Sequence, residues 1–175
     1  LTDDELMGLA AANVKEAFSE ILRRYQGVVR GFCRKWAGEN GEDLAQEAFV
    51  RLWRSRENYK PQNEFKAYLF TIVVNQCRNA ERSRKRKPPM EELEPEKITE
   101  PMSTNQLELI LKKEKLGRVH RQIQKLSPKL KEAVLLRFGQ ELSYRQIAEI
   151  TGSKEPTVRS RVMLGIERMK KELWP

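Results

Sequence analysis

Residues 88–111 divide this chain. Lys87-Pro88-Pro89-Met90 stops the helical pattern ahead of it, because proline has no amide hydrogen to donate and disfavours a helical residue before it. Pro95 and Pro101 keep a helix from re-forming. Glu91, Glu92, Glu94, Glu96 and Glu100 stand among few large apolar side chains, which describes a flexible, solvated acidic linker. A chain of 175 residues interrupted there predicts two small domains, 1–87 and 112–175, in place of one continuous core.

Charge follows the same division. The formal total is +9, from 34 Lys and Arg against 25 Asp and Glu. Residues 1–64 carry −1, residues 65–87 carry +6, the linker −5 and residues 112–175 +9. Two basic blocks around an acidic one predict two separate anionic contacts. Little supports catalysis: His120 is the sole histidine, Cys33 and Cys77 stand apart without a CxxC, and neither GxxxxGK[ST] nor GxGxxG occurs. The cysteines read as small buried hydrophobes in a reducing cytosol. No metal, cofactor or enzymatic activity is expected. Apolar runs fall short of the roughly 20 residues that span a bilayer. Leu1-Thr2-Asp3-Asp4-Glu5 is acidic where a secretion signal is basic. A cytoplasmic protein without membrane insertion is the expectation.

Within 1–87 the apolar period is helical. Thr2 and Glu5 have capping-box spacing and open a short helix to about Ala12, with Leu6 and Leu9 inward. Phe18, Ile21, Leu22, Tyr25, Val29, Phe32, Cys33 and Trp36 recur at three- and four-residue steps, predicting a helix over 15–37. Gly38-Glu39-Asn40-Gly41 breaks it. A third helix, 42–54, buries Leu44, Ala48 and Leu52, and a fourth, 64–85, buries Phe65, Tyr68, Leu69, Ile72, Val73 and Cys77. The fold class expected is all-α, beginning with a helical bundle. On the third helix Asp43, Gln46 and Glu47 share one face, open to reading as a solvated acidic face or as a docking patch for a basic protein surface. The fourth helix ends in Arg78, Arg82, Arg84, Lys85, Arg86 and Lys87, more cations than a helix end requires, so phosphate binding is the better account. Upstream, Asn75, Gln76 and Asn79 offer amides for base edges. Tyr59, Phe65 and Tyr68 offer either stacking faces or core packing, with Tyr59 the least suited to a core.

Residues 112–175 are helical too. An amphipathic segment over 112–125 carries Leu116, Val119, Ile123 and Leu126, and Ser127-Pro128 has N-cap and N1 chemistry for the next helix, with Ala133, Val134, Leu136 and Phe138. Ser143 caps a short helix over 144–150, Thr151-Gly152-Ser153 makes a tight turn, and a last helix over 155–173 buries Val158, Val162, Ile166 and Met169. Helix, glycine-containing turn, helix in a basic domain is a helix-turn-helix. Thr157, Arg159, Ser160, Arg161 and Met163 lie opposite the apolar stripe and can read base edges, while Arg145 is placed to clamp phosphate.

These residues carry a resemblance. Asp43-Leu44-Ala45-Gln46-Glu47-Ala48-Phe49-Val50-Arg51-Leu52-Trp53 resembles the core-binding segment of bacterial sigma factors. Phe65-x-x-Tyr68-Leu69-x-x-Ile72-x-x-Asn75, with the basic run from Arg82, is similar to the promoter-melting helix of the extracytoplasmic-function group of the sigma-70 family. Leu126-Ser127-Pro128, Leu142-Ser143-Tyr144-x-x-Ile147-Ala148 and Thr157-Val158-x-Ser160-Arg161 resemble that group's fourth domain. The resemblance implies two helical units, sigma-2-like over 1–87 and sigma-4-like over 112–175, joined by the acidic linker 88–111. It implies that Asp43, Gln46 and Glu47 dock on the β′ coiled coil of core RNA polymerase. Tyr59, Lys60, Asn63, Asn75, Arg78, Asn79 and Arg82 would hold melted minus-10 DNA. Arg145, Thr157, Arg159, Ser160, Arg161 and Met163 would read minus-35 duplex beside the β flap. An anti-sigma factor is an implied partner, and the factor would act as a monomer on the polymerase.

Several positions depart from the family pattern. Pro156 stands where a glycine is common, Lys154 where a capping serine is common, and Leu164 where arginine is usual. Ser153 could take over the cap, and Leu164 implies a different minus-35 preference. The rival reading is a helix-turn-helix regulator with a helical dimerisation or sensor domain. It leaves the first basic block and the acidic face of the third helix without a role.

Overall fold

The computed structural model describes residues 1–62, 64–86 and 104–173, with the backbone alone for 104–110. Every regular element among them is helical. The helices are α1 (Asp3–Ala11), α2 (Lys15–Ala37), α3 (Gly41–Arg54), α4 (Phe65–Arg86), α5 (Thr104–Lys125), α6 (Pro128–Val134), α7 (Tyr144–Thr151) and α8 (Glu155–Leu173). The acidic stretch 88–103 lies outside the described residues, but α5 starts at Thr104, ahead of the Lys112 expected from the apolar pattern.

Local chemistry accounts for most boundaries. The Thr2 hydroxyl accepts from the Glu5 amide and the Glu5 carboxylate accepts from the Thr2 amide, satisfying two donors at the start of α1. Ser143 and Gln146 do the same for α7. Gly152 ends α7 with φ 64°, a left-handed conformation that a side chain would strain. Ser127 sits ahead of Pro128 but makes no side-chain cap bond, so proline's fixed φ alone prepares α6. α6 loosens into a π-helical turn over Leu135–Gly139.

α1 to α4 enclose the first core. Trp36, Phe32, Phe70, Met7, Ile21, Leu52 and Leu69 are fully buried, each worth roughly 1.5–3 kcal/mol of transfer free energy. The face of α1 differs from expectation: Met7 and Ala10 are buried with Leu6, while Leu9 is 40% exposed. Cys33 and Cys77 are free and buried as expected, and the Cys77 thiol is pushed up by its hydrogen bond with Cys33 and by burial. α3 approaches α2 so closely that a Cβ on Gly41 would lie 2.5 Å from the Arg34 amide nitrogen.

α5 to α8 build the second core around Leu130, Leu136, Ile147, Val158 and Val162. Gly165 lets α8 lie on α6, where an added Cβ would come within 2.6 Å of Val134 Cγ2. Ile123 in the last turn of α5 and Leu126 just beyond it are buried, but Leu116 is 63% exposed. Phe138, expected on the packed side, is also exposed.

The two bundles touch. α4 packs on α7, and α2 on α5.

Candidate nucleic-acid and polymerase interface

α3 presents Asp43, Gln46 and Glu47 to solvent while Leu44, Ala45, Ala48 and Leu52 face inward, so the acidic row is a by-product of amphipathic burial. Glu42, beside them, is held below the ordinary carboxylate range by the Arg30 guanidinium at 2.6 Å.

Next to that face, the loop after α3 and the outer side of α4 shape two shallow recesses. One, of about 300 Å³, is lined by Asn58, Tyr59, Lys60, Gln62, Tyr68 and Thr71, with Glu64 and Glu149 at its edge. The second, of about 570 Å³, is lined by Glu47, Val50, Arg51, Arg54, Ser55, Asn58, Ile72 and Asn75. Tyr59 and Lys60 of the expected minus-10 set thus share the first recess, and Asn75 shares the second with Glu47. Asn63 lies outside the described residues.

Tyr59 is better anchored than a polar loop suggested. Its ring meets Phe65 at 5.9 Å and Tyr68 at 4.9 Å in edge contacts, and its hydroxyl donates to Asp4 Oδ1. Burial and that bond push its hydroxyl well above the ordinary tyrosine value. The Tyr68 hydroxyl and Ser55 Oγ are 2.9 Å apart. The recess wall is therefore aromatic and fixed. Gln62 belongs to the loop 59–63 already assigned to the opened strand, whereas Asn58 and Thr71 of the recess were not singled out by sequence reasoning. Thr71 was reachable, because Tyr68, Thr71, Asn75, Asn79 and Arg82 recur at three- and four-residue steps along one side of α4.

The α4 amides separate by burial. Asn75 and Asn79 are exposed, whereas Gln76 is 3% exposed and faces the core, so it offers no base contact. Arg82, Arg84, Lys85 and Arg86 are exposed. Arg78 is turned elsewhere. Its Nε and Nη2 donate to the two Glu132 carboxylate oxygens at 2.8 and 2.6 Å, a fork-to-fork pair across the two bundles.

In the helix-turn-helix, α7 and α8 join through Gly152, and Thr157, Arg159, Ser160 and Met163 of α8 are exposed, as the pattern predicted. Arg161 is half-buried and donates to Ser153 Oγ at 2.8 Å, so that hydroxyl is engaged by Arg161. The Arg159 guanidinium lies 4.4 Å and the Arg137 guanidinium 4.7 Å from the Tyr144 ring centroid, which ties the recognition helix to the start of α7. Arg145 is already paired, to Glu149 at 2.7 Å and Glu64 at 2.5 Å. Among the described residues no helix is long and apolar enough to cross a membrane, and no group of His, Cys, Asp or Glu is arranged to hold a metal ion.

A helical bundle with an acidic outer face and a shallow aromatic-walled recess, beside a basic helix-turn-helix, fits a DNA-binding transcription protein. Comparison with known proteins agrees. Residues 21–87 match the model for Sigma-70 region 2, and residues 116–169 that for Sigma-70, region 4. The chain is 31% identical to the ECF RNA polymerase sigma-E factor of Haemophilus influenzae, with 100% of the chain and 97% of that protein covered. It is 29% identical to the RNA polymerase sigma-H factor of Pseudomonas aeruginosa, covering 99% and 94%. In structure it is similar to CnrH solved with the cytosolic domain of CnrY, with a TM-score of 0.72, 22% identity and coverage of 97% and 95%. The sigma factor RpoE of Bartonella quintana, solved with the anti-sigma factor NepR, also gives a TM-score of 0.72 at 22% identity, covering 89% and 96%. The chain belongs to the extracytoplasmic-function group of sigma-70 family sigma factors. Its function is that of an alternative sigma factor in transcription initiation.

Proposed function

We propose that residues 1–87 dock on core RNA polymerase and hold melted minus-10 DNA, while residues 112–175 read the minus-35 duplex. Asp43, Gln46 and Glu47 form the docking face for the β′ coiled coil. Tyr59 and Lys60 of the first recess take an unstacked base, Asn63 is assigned to the same strand, and Asn75, Arg78, Asn79 and Arg82 follow that strand along α4. Holding an extruded base stabilises the opened duplex over the closed one, so binding free energy drives melting without a nucleotide cofactor. Arg145 contacts phosphate, and Thr157, Arg159, Ser160, Arg161 and Met163 of α8 face the major groove beside the β flap. Chemistry belongs to the polymerase. The chain acts as a non-enzymatic, cytoplasmic specificity subunit, one copy per polymerase. An anti-sigma factor is a further proposed partner, as NepR is of the Bartonella RpoE.

The observation that carries this reading is the adjacency of the acidic α3 face, the aromatic recess and the amide row of α4. The test is promoter melting by reconstituted holoenzyme. Tyr59→Ala and Asn75→Ala should lower thymine reactivity to permanganate at minus 10 by about fivefold or more (about 1–3 kcal/mol per lost base contact), with core binding unchanged. Asp43→Lys should abolish core binding. Melting that persists in the Tyr59 and Asn75 variants would refute the assignment.

A further inference from the structure

The loop that carries the first recess is fastened to the head of α1, far from it in sequence. Thr2 and Glu5 satisfy each other there, so the carboxylates of Asp3 and Asp4 in the same first turn are not needed for capping. Asp4 Oδ1 accepts two bonds, from the Tyr59 hydroxyl and from the Gln62 amide at 3.3 Å, 55 and 58 residues further along the chain. The helix dipole alone accounts for an acidic residue in a first turn. It does not account for two bonds converging on one distant loop.

Those two bonds close a short segment. Tyr59 and Gln62 meet at a single oxygen, so Lys60 and Pro61 between them lose conformational freedom, and proline fixes its own φ besides. Lys60 and Gln62 line the recess together with Tyr59. Behind the loop, Arg56 Nη2 donates to Asn13 Oδ1 at 2.5 Å, just past the end of α1, and its guanidinium rests 3.9 Å from the Trp53 ring centre. Asp3 is engaged elsewhere. It accepts from the Tyr25 hydroxyl at 2.5 Å and from Arg24 at 2.9 Å, and neither partner lines the recess. Adjacent aspartates thus divide the work: Asp3 ties α1 to α2, and Asp4 ties α1 to the recess.

We infer that Asp4 is a positioning residue for minus-10 recognition, its carboxylate holding Tyr59 and Gln62 so that the recess is formed before a base enters. The inference rests on the reading of that recess as the seat of an unstacked base. A loop ordered only on binding loses affinity to its own ordering, about three- to tenfold for each side chain immobilised. A loop ordered in advance by Asp4 does not.

The test uses reconstituted holoenzyme and promoter DNA opened at minus 10, with each unpaired base of that element replaced in turn by an abasic sugar. The affinity ratio of intact to abasic strand measures what the recess gains from a base, and thermal melting of the free chain measures the fold. At the most sensitive position wild type should favour the intact strand about tenfold. Asp4→Ala should cut that ratio about threefold or more. Tyr59→Phe keeps the ring, loses only the bond to Asp4, and should shift the ratio the same way. Asp4→Asn retains an accepting oxygen and should keep the wild-type ratio, while Asp3→Ala should lower the melting midpoint without changing the ratio. An Asp4→Ala protein with a lowered midpoint and the wild-type ratio overturns the inference, as does an Asp4→Asn protein that behaves like Asp4→Ala. Tyr59→Ala distinguishes the two readings. If it abolishes the ratio while Asp4→Ala does not, the positioning role alone falls; if it keeps the wild-type ratio, the recess holds no base and both fall.

Discussion

Two glycines of the first bundle should respond to the same substitution with opposite signs. Gly41 opens α3, and a Cβ there would lie 2.5 Å from the Arg34 amide nitrogen and the Cys33 carbonyl carbon, and 2.6 Å from the Cys33 carbonyl oxygen. These are backbone atoms of α2, so no side-chain rotation relieves the clash and α3 must move. Overpacking of this kind costs about 1–3 kcal/mol. The helix-propensity gain from alanine is small at a first helical position. Gly27 sits mid-way along α2, exposed, with nothing within 4 Å of an added Cβ. Alanine there stabilises by up to about 1 kcal/mol, by restricting the unfolded chain. For a unit of this size 1 kcal/mol moves the thermal midpoint by roughly 4–8 °C. Gly41→Ala should therefore lower the midpoint of the N-terminal bundle by at least about 4 °C, while Gly27→Ala raises it by up to about 8 °C. Circular dichroism melts measure both. Because α3 carries Asp43, Gln46 and Glu47, Gly41→Ala should also weaken capture of core polymerase at a temperature where it remains folded. A Gly41→Ala protein that melts at or above wild type would show that α2 and α3 are not packed backbone to backbone, and would end the argument.

Tyr144→Leu removes the ring on which Arg137 and Arg159 rest, so discrimination between intact and mutated minus-35 sequences should fall about three- to thirtyfold (roughly 0.5–2 kcal/mol per cation–π contact). Tyr144→Phe should retain it in a competitive binding assay. Leu164 is 42% exposed on α8, and Leu164→Arg is expected to change which minus-35 sequences are selected from a randomised promoter pool; an unchanged preference contradicts a reading role for this position. Glu20 is held near pKa 2, against an ordinary 4.5, by hydrogen bonds from Arg23 and then Arg24. A lowered carboxyl contributes stability above about pH 4.5 that is lost as pH falls toward 2, so the gap between wild type and Glu20→Gln in urea denaturation should be widest above pH 5 and close by pH 2.

What the sequence determined by itself was local. Helical period, the caps at Thr2 and Ser143, the turn at Gly152 and the exposure of Asp43, Gln46 and Glu47 follow from interactions a few residues apart, so each was legible before any tertiary contact was known. The stripes of α2 and α8 were read for the same reason: one apolar face at a 3.6-residue spacing has one way to be buried. Only tertiary structure decided the remainder, which depends on residues far apart in the chain. Met7 rather than Leu9 is buried because α1 packs on α2 through a face that its own short pattern does not encode. Leu116 is exposed although it shares the apolar repeat of the buried Ile123. Gln76 reads as a polar partner on a basic helix until Gln76 is seen facing the core. Arg78 and Arg145 differ in sequence from no other surface arginine. Their guanidinium groups meet Glu132, 54 residues away, and Glu64, 81 residues away, only when two bundles come together. Charge along the chain marks where anions can bind. The fold alone selects which anion, carboxylate or phosphate, is there.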